Sequence, residues 1–201
     1  MDTYIYNGDD VGEVCEAVRK YKSAGQFVYA DLETFDADER YELIDGVAYL
    51  MSAPSRAHQS ISMELSKQFA NFLTGKKCSV FAAPFDVCLN GMGDKDHDVV
   101  QPDILVICNE SILDDKRCNG VPDLVIEILS PSTIKRDLFI KLDKYKKAAV
   151  CEYWVIDPKN KVVNVHLLED GNYKIIKYTS NENIAVKMLD GLVITLPDVF
   201  R

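Results

Sequence analysis

Pro122-Asp123-Leu124-Val125-Ile126-Glu127-Ile128-Leu129-Ser130-Pro131-Ser132-Thr133 is the stretch that decides the fold. Leu124–Leu129 is a short apolar run, rich in β-branched residues and bounded by Pro122 and Pro131. Such a run reads as a strand covered on both faces rather than an amphipathic one. Period-two alternation puts Glu127 on the same face as Val125 and Leu129. An ionised carboxylate in that company is costly unless it is paired or bound to a metal. Beyond the strand, Ser130-Pro131-Ser132-Thr133 has the composition of a helix start, with Ser132 as N-cap. Ile134, Leu138, Leu142, Tyr145 and Ala149 then recur as one apolar stripe, so a helix is predicted to about residue 149.

Upstream, Gln101-Pro102-Asp103 leads into Ile104-Leu105-Val106-Ile107, a second apolar strand with an acid at its entry. One buried acid reads most simply as half of a structural ion pair, or as a strand-end cap. Two acids on two successive apolar strands suggest a site, because carboxylate oxygens are what Mg²⁺ or Mn²⁺ takes as ligands, with waters completing the shell. Lys141 borders the helix stripe and could bring positive charge to that site; it could equally snorkel, or pair with Asp137. Lys135, on the other side of the stripe, competes for the same role.

The remaining elements follow from pattern. Val11, Val14, Cys15 and Val18 predict an amphipathic helix over 11–24, stopped at Gly25. Asp31–Glu39 reads as short helical or irregular. Tyr41–Ile44 and Val47–Met51 flank Asp45-Gly46, a hairpin signal. Pro54-Ser55 opens a helix with Ile61, Leu65, Phe69 and Phe72 on one face, ending near Gly75. Strands are predicted at about 79–89, 103–108, 122–129 and 153–156. Val162–Leu168, Tyr173–Tyr178 and Leu192–Leu196 read as a β-meander turned at Asp170-Gly171 and Asp190-Gly191. The expectation is an α/β fold: a mixed central sheet flanked by helices, extended by a C-terminal β-meander. Residues 1–30 are expected to be a helical extension and 31–201 the main domain.

The 201 residues suit one domain with a real core. No apolar run reaches the roughly 20 residues that span a bilayer, and MDTYIYNGDD lacks the basic start of a signal peptide, so a cytoplasmic protein is expected. Six scattered cysteines without a C-x-x-C pair argue against a zinc ribbon or a redox motif; they are expected to be reduced, mostly buried thiols. The formal net charge of −9 argues against a strong non-specific nucleic-acid binder, since phosphate neutralisation needs Lys and Arg. It leaves room for an enzyme with locally gathered cations. Asp94, Asp96 and Asp98 imitate an EF-hand loop, but Val99 and Leu105 stand where Gly and Glu are required. Ser132-x-x-Lys135 lacks the motifs that accompany a serine nucleophile of that type. Lys141, Lys144, Lys146 and Lys147 could touch a phosphate backbone or simply form a solvated face.

The Gln101-Pro102-Asp103-Ile104 block, the Pro122–Thr133 block, then Asp137, Lys141, Tyr145 and Glu152-Tyr153-Trp154-Val155-Ile156-Asp157-Pro158 together resemble the bacterial Uma-two family. Tyr41–Gly46 and His58 add to the resemblance, which covers roughly residues 30–170. The family implies a restriction-endonuclease-like, PD-(D/E)XK nuclease fold and metal-dependent hydrolysis of DNA. It implies Mg²⁺ or Mn²⁺ held by Asp103 and Glu127, with the backbone carbonyl of Ile128 completing the protein ligands. The common motif lysine two residues after the acid is absent, because Leu129 stands there; the resemblance moves that role to Lys141. Glu42 is a further candidate as another carboxylate in the metal shell, and His58 as a contact to phosphate or water. Against these stand a hairpin acid and a helix-start histidine. DNA is the expected partner, with no membrane, and a homodimer is an open possibility. The alternative is a non-catalytic interaction module on the same fold.

Overall fold

The strand Leu124–Ile128 lies inside a six-stranded sheet, where both its faces are covered. The structure is a computed structural model that describes residues 27–130 and 136–201. The helix predicted over 11–24, the Ser132 cap and Lys135 lie outside the described residues.

A 3₁₀ turn, Tyr29–Thr34, precedes the hairpin of β1 (Tyr41–Ile44) and β2 (Val47–Leu50). Asp45 and Gly46 both take positive φ, 50° and 68°, the backbone that a two-residue hairpin needs. Helix α1 (Arg56–Leu73) starts at Ser55, whose side chain accepts from the His58 N–H at 3.2 Å. It buries Ile61, Leu65, Phe69 and Leu73.

The single strand expected over 79–89 is two strands in two different sheets, β3 (Ser79–Ala82) and β4 (Asp86–Cys88). Pro84 sits between them and has no N–H to give to a ladder. Next come β5 (Val99–Val100), β6 (Ile104–Ile107), β7 (Arg117–Asn119) and β8 (Leu124–Ile128). One π-helical turn, Arg136–Lys141, then runs into α2 (Leu142–Lys147). The described helix therefore ends before the predicted residue 149, and Ala149 takes a φ of 63°. The chain closes with β9 (Glu152–Asp157), β10 (Val162–Glu169), β11 (Asn172–Thr179), β12 (Asn183–Ala185) and β13 (Val193–Thr195).

The main sheet has the order β11-β10-β9-β8-β6-β3 and is antiparallel except for β8 beside β9. Helix α1 packs on one face, against Ile104, Val106, Leu124, Ile126 and Trp154. On the other face Leu105, Ile107, Val125 and Val155 meet Tyr145 of α2, with Val87 and Val100 from a second sheet. That second sheet has the order β2-β1-β5-β4-β7. The fold is thus mixed α/β, as expected. The C-terminal strands divide: β10 and β11 widen the main sheet, whereas β13 pairs with β12 apart from it.

One expectation about the cysteines is overturned. Cys78 and Cys108 form a disulfide, with Cα atoms 4.0 Å apart. The cause is register: Ser79 faces Ile107 in the antiparallel β3–β6 pair, which puts Cys78 opposite Cys108 one step further on. Cys88 and Cys118 are buried thiols, while Cys151 is an exposed one. Among the described residues, no helix is long and apolar enough to cross a membrane.

Candidate active site

The β6–β8 register pairs Ile104 with Ile126. One step toward the open end of that pairing, Asp103 comes opposite Glu127, and opposed antiparallel residues present their side chains on the same face. Pro102 holds the entry extended, and the Asp103 carbonyl accepts from the Ala83 N–H at 3.0 Å. The Asp103 carboxylate uses one oxygen for the protein. Oδ2 accepts the Ile128 N–H at 2.7 Å and lies 3.1 Å from His58 Nε2. Oδ1 has no hydrogen-bond partner among the described residues. His58 is buried in the first turn of α1, so it holds Asp103 from the helix side.

Glu127 points to the other side of the cleft, toward α2. Its Oε1 receives Lys141 Nζ at 2.7 Å and the Tyr145 hydroxyl at 2.7 Å. Lys141 Nζ also lies 2.6 Å from Glu42 Oε1, delivered by β1. All three ions are desolvated: Lys141 is 2% exposed, Glu42 0% and Glu127 4%. Neither a snorkelling Lys141 nor a solvated helix face describes this geometry. Glu42 Oε1 further accepts the Gln101 N–H at 3.0 Å, and the Gln101 side chain donates to Asp86 at 2.7 Å. Burial raises the Asp86 pKa above its ordinary value, against the hydrogen bonds from Gln101 and Tyr29. Burial, and then the Glu127 charge, pushes the Tyr145 phenol well up. Tyr145 is therefore a neutral donor.

Asp103, Glu127, Lys141, Glu42 and His58 line one cleft, together with Ile128, Arg40, Gln59 and Ser130. Three carboxylates against one ammonium give that group a formal charge of −2. The other lysines of the helix are dispersed. Lys144 bonds Asp45 and Asp98, Lys146 bonds Asn172, and Lys147 pairs with Asp143. Asp45, His97 and Asp98 also come within metal-ligand distance of one another. The Lys144 ammonium already occupies that group, 2.9 Å from Asp98. The EF-hand-like acids are instead a loop knot, with Asp96 accepting from Asn90, Met92 and the Asp98 N–H.

Two members of the site were not singled out from sequence. Gln101 reaches Glu42 through its backbone N–H, a contact that leaves no side-chain signal. In the sequence Tyr145 belongs to an apolar stripe and to the blocks that resemble the Uma-two family, with no role at the site. The available signal was its hydroxyl, since a buried tyrosine needs a partner where phenylalanine would not.

A family model, Uma2, described as "Putative restriction endonuclease", matches residues 28–197. An uncharacterized protein of Synechocystis sp. is 27% identical over 165 residues, which is 81% of this chain and 84% of the relative. A crystal structure from Anabaena variabilis, described as "a putative nuclease belonging to DUF820", superposes with a TM-score of 0.69. It is 19% identical and covers 87% of this chain and 97% of its own; at that identity the likeness concerns the fold.

Proposed function

The chain belongs to the Uma2 family, and from that premise we propose that it is a divalent-metal-dependent endonuclease that hydrolyses phosphodiester bonds in DNA. The observation that carries the reading is the placing of Asp103 opposite Glu127, with the Lys141 ammonium 2.7 Å from the Glu127 carboxylate. Residues 31–201 would be the nuclease domain and 1–30 an extension to it.

The donor set fits Mg²⁺ or Mn²⁺. Asp103 Oδ1 has no hydrogen-bond partner among the described residues, and Glu127 supplies a second carboxylate. Ile128 gives its N–H to Asp103, and N–H and C=O of one strand residue point to the same edge, so its carbonyl lies on the Asp103 side too. Hard oxygen donors suit these ions, and a dication would balance the formal −2 of the group. When bound, such an ion lowers the pKa of a coordinated water and steadies charge on the phosphoryl group.

The chain's own groups divide the remaining work. Lys141, whose ammonium lies 2.7 Å from Glu127, would turn to the scissile phosphate or to the attacking water. Glu42 would hold that ammonium in place before substrate arrives. His58, through its contact with Asp103, would fix the carboxylate rather than touch phosphate. Arg40, which also lines the cleft, would meet the incoming backbone.

The net charge of −9 and Leu129 in place of the motif lysine favour the second reading, a non-catalytic module on this fold. Incubation with supercoiled, linear and single-stranded DNA separates the two. Products that need Mg²⁺ or Mn²⁺ and vanish with chelator support the nuclease; intact DNA of every form under both ions supports the module.

A further inference from the structure

Among the described residues, Glu127 Oε1 receives two donors of unlike character. Lys141 stands on a flexible four-carbon stem and divides its ammonium between Glu127 at 2.7 Å and Glu42 at 2.6 Å. A point charge so held can be drawn away by an arriving phosphate. Tyr145, four residues on, cannot move in that way. It is fully buried, its ring lies 4.9 Å from that of Tyr153, and it packs in the same core as Leu105 and Val125. Only two χ angles set the position of its hydroxyl, and packing fixes both.

The oxygen itself is not needed for packing. Phenylalanine would fill this position of the apolar stripe nearly as well, and a hydroxyl is costly in such surroundings unless it is bonded. The bond it makes is to the acid at the end of β8, at 2.7 Å. A partner that holds a ligating carboxylate sets its orientation for the ion, and losing such a partner lowers metal affinity by about 10- to 100-fold.

We infer that Tyr145 is a positioning residue, whose phenol holds Glu127 in its metal-binding orientation independently of Lys141 and so leaves Lys141 available to the substrate. The inference rests on the reading of Asp103 and Glu127 as metal ligands.

The test is Mn²⁺ binding by calorimetry to the full chain, for wild type, Tyr145→Phe and Glu127→Gln, with melting in chelator measured alongside. Tyr145→Phe is expected to bind Mn²⁺ about 10-fold more weakly, with a melting temperature in chelator within about 3 °C of wild type. A purely structural tyrosine would lower the melting temperature and leave affinity unchanged, which overturns the inference while the metal site stands. Equal Mn²⁺ binding by wild type and Glu127→Gln, or none by either, overturns the metal-site reading and the inference with it. Should Tyr145→Phe fail to fold, the near-UV tyrosine spectrum of wild type carries the test. Adding Mg²⁺ is expected to shift it, because ion binding weakens Oε1 as an acceptor, and an unchanged spectrum in protein that binds Mg²⁺ contradicts the inference.

Discussion

Lys141 Nζ lies 2.7 Å from Glu127 Oε1, and the same ammonium lies 2.6 Å from Glu42, so one buried cation holds together two carboxylates from different sheets. Removing one partner of a buried ion pair leaves uncompensated charge and typically destabilises by about 3–5 kcal/mol. Lys141→Ala is therefore expected to melt roughly 6–20 °C lower than wild type in chelator. Mg²⁺ should recover more of that loss than it adds to wild type, since a dication replaces the missing charge. Paired melting curves check this, and a Lys141→Ala protein as stable as wild type in chelator contradicts the buried pairing.

A second ion pair predicts acid sensitivity away from the cleft. Burial acts to raise the Asp98 pKa, but the Asp45 N–H, Lys144 and Asn90 outweigh it and hold the carboxyl below its ordinary 3.8. A depressed carboxylate binds protons more tightly in the unfolded chain. Its stabilisation is present above about pH 3.8 and is lost as pH falls through the lower, folded value. Asp98→Asn should flatten the fall in melting temperature between pH 5 and pH 3. A slope identical to wild type removes Asp98 from the account.

The disulfide gives a third expectation. Cys78 and Cys108 are 30 residues apart, and closing a loop of that length in the unfolded chain corresponds to about 3.6 kcal/mol at most. A strong reductant, or Cys78→Ser, should lower the melting temperature by up to about 14 °C. Mass analysis after alkylation without reductant reads the bond directly, and two alkylated thiols at these positions would contradict it.

Legibility differed from element to element for physical reasons. Leu124–Ile128 was readable because a strand buried on both faces must be apolar almost throughout, which makes its one acid conspicuous. Asp45-Gly46 and Ser55 mark turn and cap by chemistry that acts locally. The split at Pro84 was hidden because residues on either side remain apolar in two different sheets. Val99–Val100 and Arg117–Asn119 are too short for any period, so the second sheet was not read as a sheet. Cys78 and Cys108 meet only through register. At the cleft, Asp103, Glu127 and Lys141 were visible as charges beside apolar runs, whereas the full burial of Lys141 depends on Glu42, which only the β1 placement supplies.

Ion binding without substrate tests the same centre. A dication that binds only the folded state adds about 1.4 kcal/mol at ten times its Kd, a melting shift of roughly 3–6 °C. Wild type should gain this in Mg²⁺ or Mn²⁺, and Glu127→Gln should lose most of it, because an amide is a poorer ligand for a hard ion. No gain in wild type, with Glu127→Gln strongly destabilised in chelator, would make Glu127 a structural ion-pair partner alone.

The most direct measurement is cleavage of supercoiled plasmid by wild type, Asp103→Asn and Glu127→Gln, purified side by side and assayed in Mg²⁺, in Mn²⁺ and in chelator. The account predicts nicked or linear product from wild type with either ion, none in chelator, and at least a hundredfold less from each variant, on the order of the 2.7 kcal/mol or more lost with a group that stabilises the transition state. Cleavage that persists undiminished in both variants would contradict it.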